Sequence, residues 1–279
     1  MSDLESTQKD VESVREKIAR FRAKAKEMQE TRIEAAAMAT PPDGIQCNRC
    51  GNTGYIMTID SQGYETAVTC PDCFSRRQMA RWLKHSGISP EDYDRYTLET
   101  FLPDTPEAAE MKQKAMEYLD QLPATGFGVF GSSGTGKTHL CIAICHELSN
   151  RYREPHYYFS YRAVMPELIK ASKSYEVDYE AAMHKWKTVK NLYIDDLFKL
   201  SGKVEDGVLT DINREELKIM YDILNARYVN HLRTLFSSEY SVKSISDIDG
   251  AVGSRIFEMT NPYGLKTEGK NRRLKKITA

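Results

Sequence analysis

The sequence predicts an α/β fold, a parallel sheet with helices on both faces, preceded by a charged helix and a small cysteine-rich module. Three observations carry this. From about residue 105 onward, short apolar runs alternate with helical stretches. One run, Phe127-Gly128-Val129-Phe130, enters the loop Gly131-Ser132-Ser133-Gly134-Thr135-Gly136-Lys137-Thr138, and a helical stretch follows it. Two Cys-x2-Cys pairs precede all of this, at residues 47–50 and 70–73.

The length of 279 residues suffices for one domain of about 200 residues and a smaller module. A hydrophobic content of 41% with 28% charged residues is ordinary for a globular chain in water. The formal net charge of −1 excludes a molecule that is a polycation as a whole, so any surface for nucleic acid must be local. No apolar run approaches the roughly 18 residues that a membrane span needs. The start, Met1-Ser2-Asp3-Leu4-Glu5, is polar and acidic, unlike a signal peptide. A cytoplasmic protein is expected, with no membrane partner. Disulfides are rare in that compartment, so the cysteines need another use.

Along the chain, residues 1–40 read as an amphipathic helix. Eight acidic and eight basic side chains fall in residues 1–39, with no Gly or Pro. Val11, Val14, Ile18, Phe21, Ala25 and Met28 recur in alternating steps of three and four, the heptad spacing of one apolar seam. Pro41-Pro42-Asp43-Gly44 ends this stretch. The cysteine-rich module occupies 41–80, and the remainder, 81–279, reads as the α/β domain, with a break at Ser89-Pro90. Its strands are Phe127–Phe130, His156–Phe159, Leu192–Ile194 and Thr234–Phe236, with helices over His139–Asn150 and around Leu217, Met220, Tyr221 and Leu224.

The Gly131-x4-Gly136-Lys137-Thr138 pattern is a complete phosphate loop lying between a strand and a helix. Its glycines let backbone N–H groups converge on phosphate oxygens, and the following helix N-terminus adds partial positive charge. The nucleotide-binding set is Gly131, Ser132, Ser133, Gly134, Thr135, Gly136, Lys137, Thr138 and His139. Lys137 is expected at the β- and γ-phosphates of ATP, and Thr138 on Mg²⁺. Leu192-Tyr193-Ile194-Asp195-Asp196 places two carboxylates at a strand end. Asp195 would hold Mg²⁺, directly or through water, and Asp196 would polarise the attacking water. Two solvated aspartates in a turn remain the plain alternative.

Cys47, Cys50, Cys70 and Cys73 form two knuckles separated by 19 residues, the pattern of tetrahedral thiolate binding of Zn²⁺. Gly51 and Gly54 suit the tight turns, and Tyr55–Ile59 with Glu65–Val68 suit the strands of a ribbon. Four ligands leave no open position, so the role is structural. Redox thiols and an iron–sulfur cluster are the rivals. Cys141 and Cys145 fall inside a helix and read as small buried hydrophobes.

Beyond these separate motifs, the chain resembles the bacterial and phage replicative helicase loaders of the DnaC/DnaI type, an AAA+ ATPase family that includes the IstB transposase helpers. The resemblance covers roughly residues 85–279. It rests on residues 131–138 and 192–199, Tyr221-Asp-Ile-Leu-Asn-Ala-Arg-Tyr228, Ser237-Ser-Glu-Tyr-Ser241 and Ile248-Asp-Gly-Ala-Val-Gly-Ser-Arg-Ile-Phe-Glu-Met259. It implies an AAA+ core and an arginine finger, Arg255, acting in trans on a neighbouring subunit's ATP. Arg255 paired with Glu258 or Asp249 on the surface is the plain alternative. The position that usually senses the γ-phosphate, often Asn, is here Ser238-Glu239, so Glu239 joins the catalytic set of Lys137, Asp195, Asp196 and Arg255. Only 24 residues follow Arg255, so no separate lid is expected, and self-association would depend on a partner. The resemblance also implies weak ATP hydrolysis in the absence of partner or DNA, in a bacterial cell or, for a phage protein, in its host's cytoplasm.

The resemblance further implies single-stranded DNA and a hexameric replicative helicase as partners. Tyr161-Arg162 through Lys173, with Lys185 and Lys187, is one candidate DNA surface. The tail Lys266–Lys276, with six basic residues against one Glu, is another, or else an ordinary last strand. Three other functions remain: a transposase helper, a non-hydrolysing ATP-regulated adaptor, and a nucleotide or small-molecule kinase. Zinc knuckles ahead of the ATPase domain favour loading, since transposase helpers usually lack them. A kinase needs an acceptor site and usually a closing lid, and neither is evident.

Overall fold

The computed structural model describes residues 15–24, 26–28, 31, 41, 43–60, 62–86, 93, 95–152, 154, 156–174, 177–205, 208–269 and 271–272. The chain divides into two compact units, Met1–Arg77 and Gln78–Ala279.

In the first unit, residues 15–24 are helical, and Ile18, Phe21 and Met28 are exposed. Val11, Val14 and Ala25 of the expected seam lie outside the described residues, as does the break at Ser89-Pro90. Strands β1 (Tyr55–Ile59) and β2 (Glu65–Thr69) pair antiparallel with Tyr55 opposite Thr69, forming the expected ribbon. Its turn is closed by Asp60, whose carboxylate accepts from the N–H groups of Gln62 and Tyr64, both at 2.9 Å. Helix α1 (Phe74–Ser86) starts directly after the second cysteine pair.

The second unit is built on a five-stranded sheet. Its strands are β3 (Phe127–Gly131), β4 (His156–Ser160), β5 (Asn191–Asp195), β8 (Arg233–Ser238) and β9 (Gly264–Thr267), in the order β4-β5-β8-β3-β9. Every pairing is parallel. Around it lie α2 (Pro106–Gln121), α3 (Lys137–Asn150), α4 (Tyr161–Ser172), α5 (Tyr179–Thr188), α6 (Arg214–Val229), α7 (Val242–Ile248) and α8 (Gly250–Thr260). A hairpin of β6 (Gly202–Glu205) and β7 (Val208–Ile212), which the sequence pattern did not reveal, stands between β5 and α6. After α8 the described chain holds only β9 and residues up to 272, with no helical lid.

Strand periodicity assigns the two cores. Phe130, Phe159, Leu192, Ile194 and Phe236 face one side and pack with side chains of α4, α5, α6 and α8. Phe127, Val129, Tyr158, Tyr193 and Leu235 face the other, against α2 and α3. Cys141 and Cys145 are buried in this second core, as small hydrophobes. On α6 the buried face is Ile219, Met220, Ile223 and Leu224, with Leu217 and Tyr221 at its margin. Arg227 completes that face and is fully buried. Its guanidinium donates to Thr234 Oγ1 at 2.9 Å and to the carbonyls of Trp186, Val189 and Arg233 at 3.1, 2.8 and 2.7 Å. A buried cation is tolerated because its donors are satisfied.

His156, at the start of β4, is 2% exposed and has Ser149 Oγ 3.1 Å from its Nδ1. Burial pulls its pKa from 6.5 to about 3, helped by His146. The folded unit therefore holds it neutral, and its contribution to stability is full above 6.5 and lost as pH falls from there through 3. The acid side of the stability curve should be flatter in His156→Gln, by up to about 1.4 kcal/mol per pH unit between pH 6 and 4. Urea denaturation at stepped pH measures this; equal slopes in both proteins would mean that His156 is charged in the folded state.

Candidate nucleotide site and cysteine cluster

Because the sheet is parallel, β3, β5 and β8 end on one edge, and the loops that follow them share the crevice beyond it. The register sets Phe130 opposite Ser238 and Ile194 opposite Phe236, so Gly131, Asp195 and Glu239 reach the same edge. Gly131 has φ 128°, and a Cβ there would lie 1.9 Å from the Thr267 carbonyl oxygen, so only glycine fits. Gly136, at φ 99°, is the N-cap of α3, and no side chain caps that helix. Its first N–H groups are suited to an anion.

Lys137 is 6% exposed, and its ammonium donates to the carbonyls of Gly131 (2.8 Å) and Ser132 (2.7 Å). Burial lowers its pKa, against the pull of Glu239 and Asp196. Thr138 donates to Asp195 Oδ1 at 3.0 Å. The Asp195 carboxylate, buried at the end of β5, also accepts from Tyr193 at 2.5 Å, Ser237 and Tyr158. Burial and the Asp195 charge raise the pKa of both phenols, which keeps them donors. These three hydroxyls escaped the sequence reading. Tyr193 alone had a local signal, since it precedes Asp195 by two on one strand and so shares its face.

Asp196 sits in the left-handed region at φ 55° and ion-pairs with Lys199 at 3.0 Å. Lys199 also pairs with Glu239 at 3.1 Å, and against burial this pair, with Lys137 nearby, lowers the Glu239 pKa. Burial and Asp195 raise the Asp196 pKa, while Lys199 opposes them. The structure thus gathers Gly131–Thr138, Asp195, Asp196 and Glu239. The segment after β9 joins them: Arg272 N donates to the Gly134 carbonyl at 2.9 Å, and the Arg272 guanidinium pairs with Asp104 at 2.7 Å.

The imidazole of His139 is held by the segment that precedes α2. Its Nε2 lies 3.1 Å from both Thr100 Oγ1 and the Thr97 carbonyl, and its ring packs on Phe101 and Tyr96. Burial lowers its pKa. Arg255 is not brought to its own phosphate loop either. It donates to Asn225 Oδ1 (3.1 and 2.9 Å), to Tyr221 (3.3 Å) and to the Ala251 carbonyl (2.9 Å), all on α6 and α8. Neither Glu258 nor Asp249 is its ion-pair partner: Glu258 accepts from Tyr228, and Asp249 caps α8.

The candidate DNA segment needs one correction. Tyr161 is 2% exposed and donates to Glu216 at 2.9 Å, so it is a core residue that no base can stack on. Lys173 pairs with Glu215 and Lys187 with Glu180. Lys185 lies over the Trp186 ring. In the basic tail, Lys266 pairs with Glu268. Lys270 and residues 273–279 lie outside the described residues.

In the first unit, the sulfurs of Cys47, Cys50, Cys70 and Cys73 lie within 4.8 Å of one another. The Cys47–Cys70 and Cys50–Cys73 pairs are at 3.8 and 3.4 Å. Tetrahedral thiolates about 2.3 Å from one metal would stand about 3.8 Å apart, so the cluster fits a thiophilic ion. Gly51 and Asn52 turn the first knuckle at φ 55° and 61°, and Gly54 N donates to Cys50 Sγ at 3.3 Å. Burial raises the Cys50 pKa, but that N–H and the neighbouring cysteines bring it to about 7. Arg77, also missed from sequence, donates to Cys73 Sγ at 3.4 Å and to Asp43 at 2.6 and 2.5 Å. Its cation offsets negative charge on the sulfurs.

Residues 93–261 match the family described as the bacterial DnaA ATPase domain. The YqaM protein of Bacillus subtilis (strain 168) is 32% identical over 221 residues, 75% of this chain and 67% of that protein. The phage-like element PBSX protein XkdC of the same organism is 29% identical over 225 residues, 78% of this chain and 80% of that protein. Among solved structures, the DnaC helicase loader superposes with a TM-score of 0.52 at 21% identity, over 63% of this chain and 98% of that one. The AAA+ fold expected from the resemblance to loaders is the fold observed.

Cys50→Ser and Cys73→Ser should each remove one bound thiophilic metal ion per chain and loosen the ribbon. Elemental analysis of purified full-length protein, with circular dichroism before and after chelation, reads both effects. Metal-free wild-type protein with an unchanged spectrum would refute the site.

Proposed function

The chain belongs to the family of the bacterial DnaA ATPase domain, and from that premise we propose that it is an ATP-hydrolysing DNA replication protein that loads a hexameric replicative helicase onto single-stranded DNA. The observation that carries the ATPase part is the complete phosphate loop at the end of β3, with Thr138 hydrogen-bonded to Asp195 across the crevice. The loop N–H groups and Lys137 would hold the phosphates of ATP, and Thr138 with Asp195 would hold Mg²⁺. Bound magnesium supplies charge neutralisation at the β- and γ-phosphates. Asp196 and Glu239 are the carboxylates available to orient a water, and Arg255 would complete a neighbouring subunit's site. Hydrolysis by the isolated chain is then weak, and partner or DNA raises it.

The DnaC-like fold and the phage-element relative support the loading role. The exposed Ile18, Phe21 and Met28 of the N-terminal region offer apolar surface to a partner such as the helicase. The four cysteines would hold Zn²⁺ in a closed structural site. The proposed division is a helix over 1–40, a zinc module over 41–80 and the ATPase domain over 81–279. Among the described residues no helix is long and apolar enough to cross a membrane. This is compatible with a cytoplasmic protein.

Two substitutions test this reading. Lys137→Ala should weaken ATP binding by about 100-fold or more, with the fold intact, because a charge-assisted phosphate contact in a half-buried site is lost. Isothermal titration decides it, and unchanged affinity would remove the central claim. Arg255→Ala should bind ATP nearly normally yet lose most partner-stimulated hydrolysis, since arginine fingers are worth roughly 10³–10⁵ in rate. Mixing Arg255→Ala with Lys137→Ala subunits should restore part of the activity if the finger acts in trans. No restoration in co-assembled mixtures would make Arg255 a structural residue of the α6–α8 contact.

A further inference from the structure

We propose that Lys199 is the positioning residue that lets this site accept a nucleoside triphosphate in preference to a diphosphate, by neutralising Asp196 and Glu239 at the end of the crevice where a γ-phosphate would enter. The proposal rests on the nucleotide-binding reading above.

Lys199 lies three residues beyond Asp196, in the loop that follows β5. Its ammonium is 3.0 Å from Asp196 Oδ2 and 3.1 Å from Glu239 Oε1. One cation thus ties the loop after β5 to the loop after β8. The linked pairs Glu239–Lys199–Asp196 span the crevice beside the phosphate loop. All three charged side chains interact electrostatically with Lys137. Lys137 itself has a different set of hydrogen-bond partners, the carbonyls of Gly131 and Ser132.

The backbone around Lys199 argues against an incidental surface pair. Asp196, Phe198 and Leu200 all adopt left-handed conformations, with φ of 55°, 61° and 67°. Non-glycine residues take up that region at a cost and keep it only where the surroundings enforce it. Here Leu197 and Phe198 are fully buried, and Leu197 N donates to the Ser237 carbonyl at 2.9 Å. Lys199 N donates to the Asp196 carbonyl, also at 2.9 Å. The core holds the loop in this path, and the path places the Lys199 ammonium between two carboxylates.

Charge explains what the ammonium does there. Lys137 and Lys199 stand against Asp195, Asp196 and Glu239, a local net charge of −1. Without Lys199 it would be −2. A triphosphate brings more negative charge to this end of the site than a diphosphate does. In a partly buried site, carboxylates left unneutralised repel that added charge. The loss therefore falls on ATP far more than on ADP, a selectivity that a purely structural ion pair would not produce.

The test is calorimetric titration of the full chain with Mg·ATP and Mg·ADP, in wild type, Lys199→Met, Lys199→Gln and Lys199→Arg. The Gln variant keeps a hydrogen-bond donor beside the carboxylates while removing the charge, so it covers the case in which Met fails to fold. Both neutral variants should lose about tenfold in the ratio of ATP to ADP affinity, with ADP affinity changed by less than about threefold, and Arg should restore most of the ratio. Wild-type preference for ATP that survives unchanged in both neutral variants overturns the role of Lys199 and leaves the nucleotide reading standing. Equal affinity of wild type for the two nucleotides also overturns it. Failure of wild type to bind either nucleotide refutes the nucleotide reading itself.

Discussion

Asp195 is a carboxylate at the end of a central strand, 7% exposed, and such a charge persists only when hydrogen bonds replace the water it has lost. Four hydroxyls do this, from Thr138, Tyr158, Tyr193 and Ser237. They come from α3, β4, β5 and β8, so satisfying one carboxylate requires the first turn of the helix after the phosphate loop and three strands to be in register. The same requirement fixes Thr138 relative to Asp195, the pair proposed above to hold Mg²⁺. Stability and site geometry are here the same interaction.

Around that fixed point the charges alternate. Lys137 faces the carbonyls at the mouth of its loop, and Lys199 sits between Asp196 and Glu239. Arg272 ties the segment after β9 to the Gly134 carbonyl and to Asp104. The phosphate loop therefore touches the chain's last described residues as well as the end of β5. Arg255 stands apart, on α8, with neutral partners on α6 and α8. A guanidinium with neutral partners keeps its full charge available to an anion.

The first unit solves a different problem. A ribbon of two five-residue strands has exposed apolar side chains at Tyr55, Met57 and Ile59 and cannot hold itself by burial. Its only described core is the cysteine cluster, with Ile45 and Ile56 against it. The four sulfurs converge at the spacing one thiophilic ion would need, and such an ion, with Arg77 spanning Cys73 and Asp43, would supply the cohesion that apolar area does not.

Local patterns carried β1 to β5 and β8, the helix α3, the phosphate loop and the cysteine knuckles, because each is set by neighbouring residues in the chain. Asp195 and Asp196 were legible for the same reason, as a carboxylate pair ending an apolar run. The hairpin β6–β7 was not, since Gly202–Glu205 has a single apolar residue and no alternation to read. Tyr161 misled, because an aromatic beside an arginine looks the same in sequence whether it faces solvent or the core. Tyr158, Ser237 and Arg272 became site residues, and Lys199 met Glu239, only through a parallel sheet that joins positions 37 to more than 100 residues apart. Sequence alone determined which groups could bind phosphate and metal, since those chemistries depend on residue type at short spacing. Tertiary structure decided which charges neutralise one another, because Coulomb forces depend on distance in space, and the order β4-β5-β8-β3-β9 sets that distance.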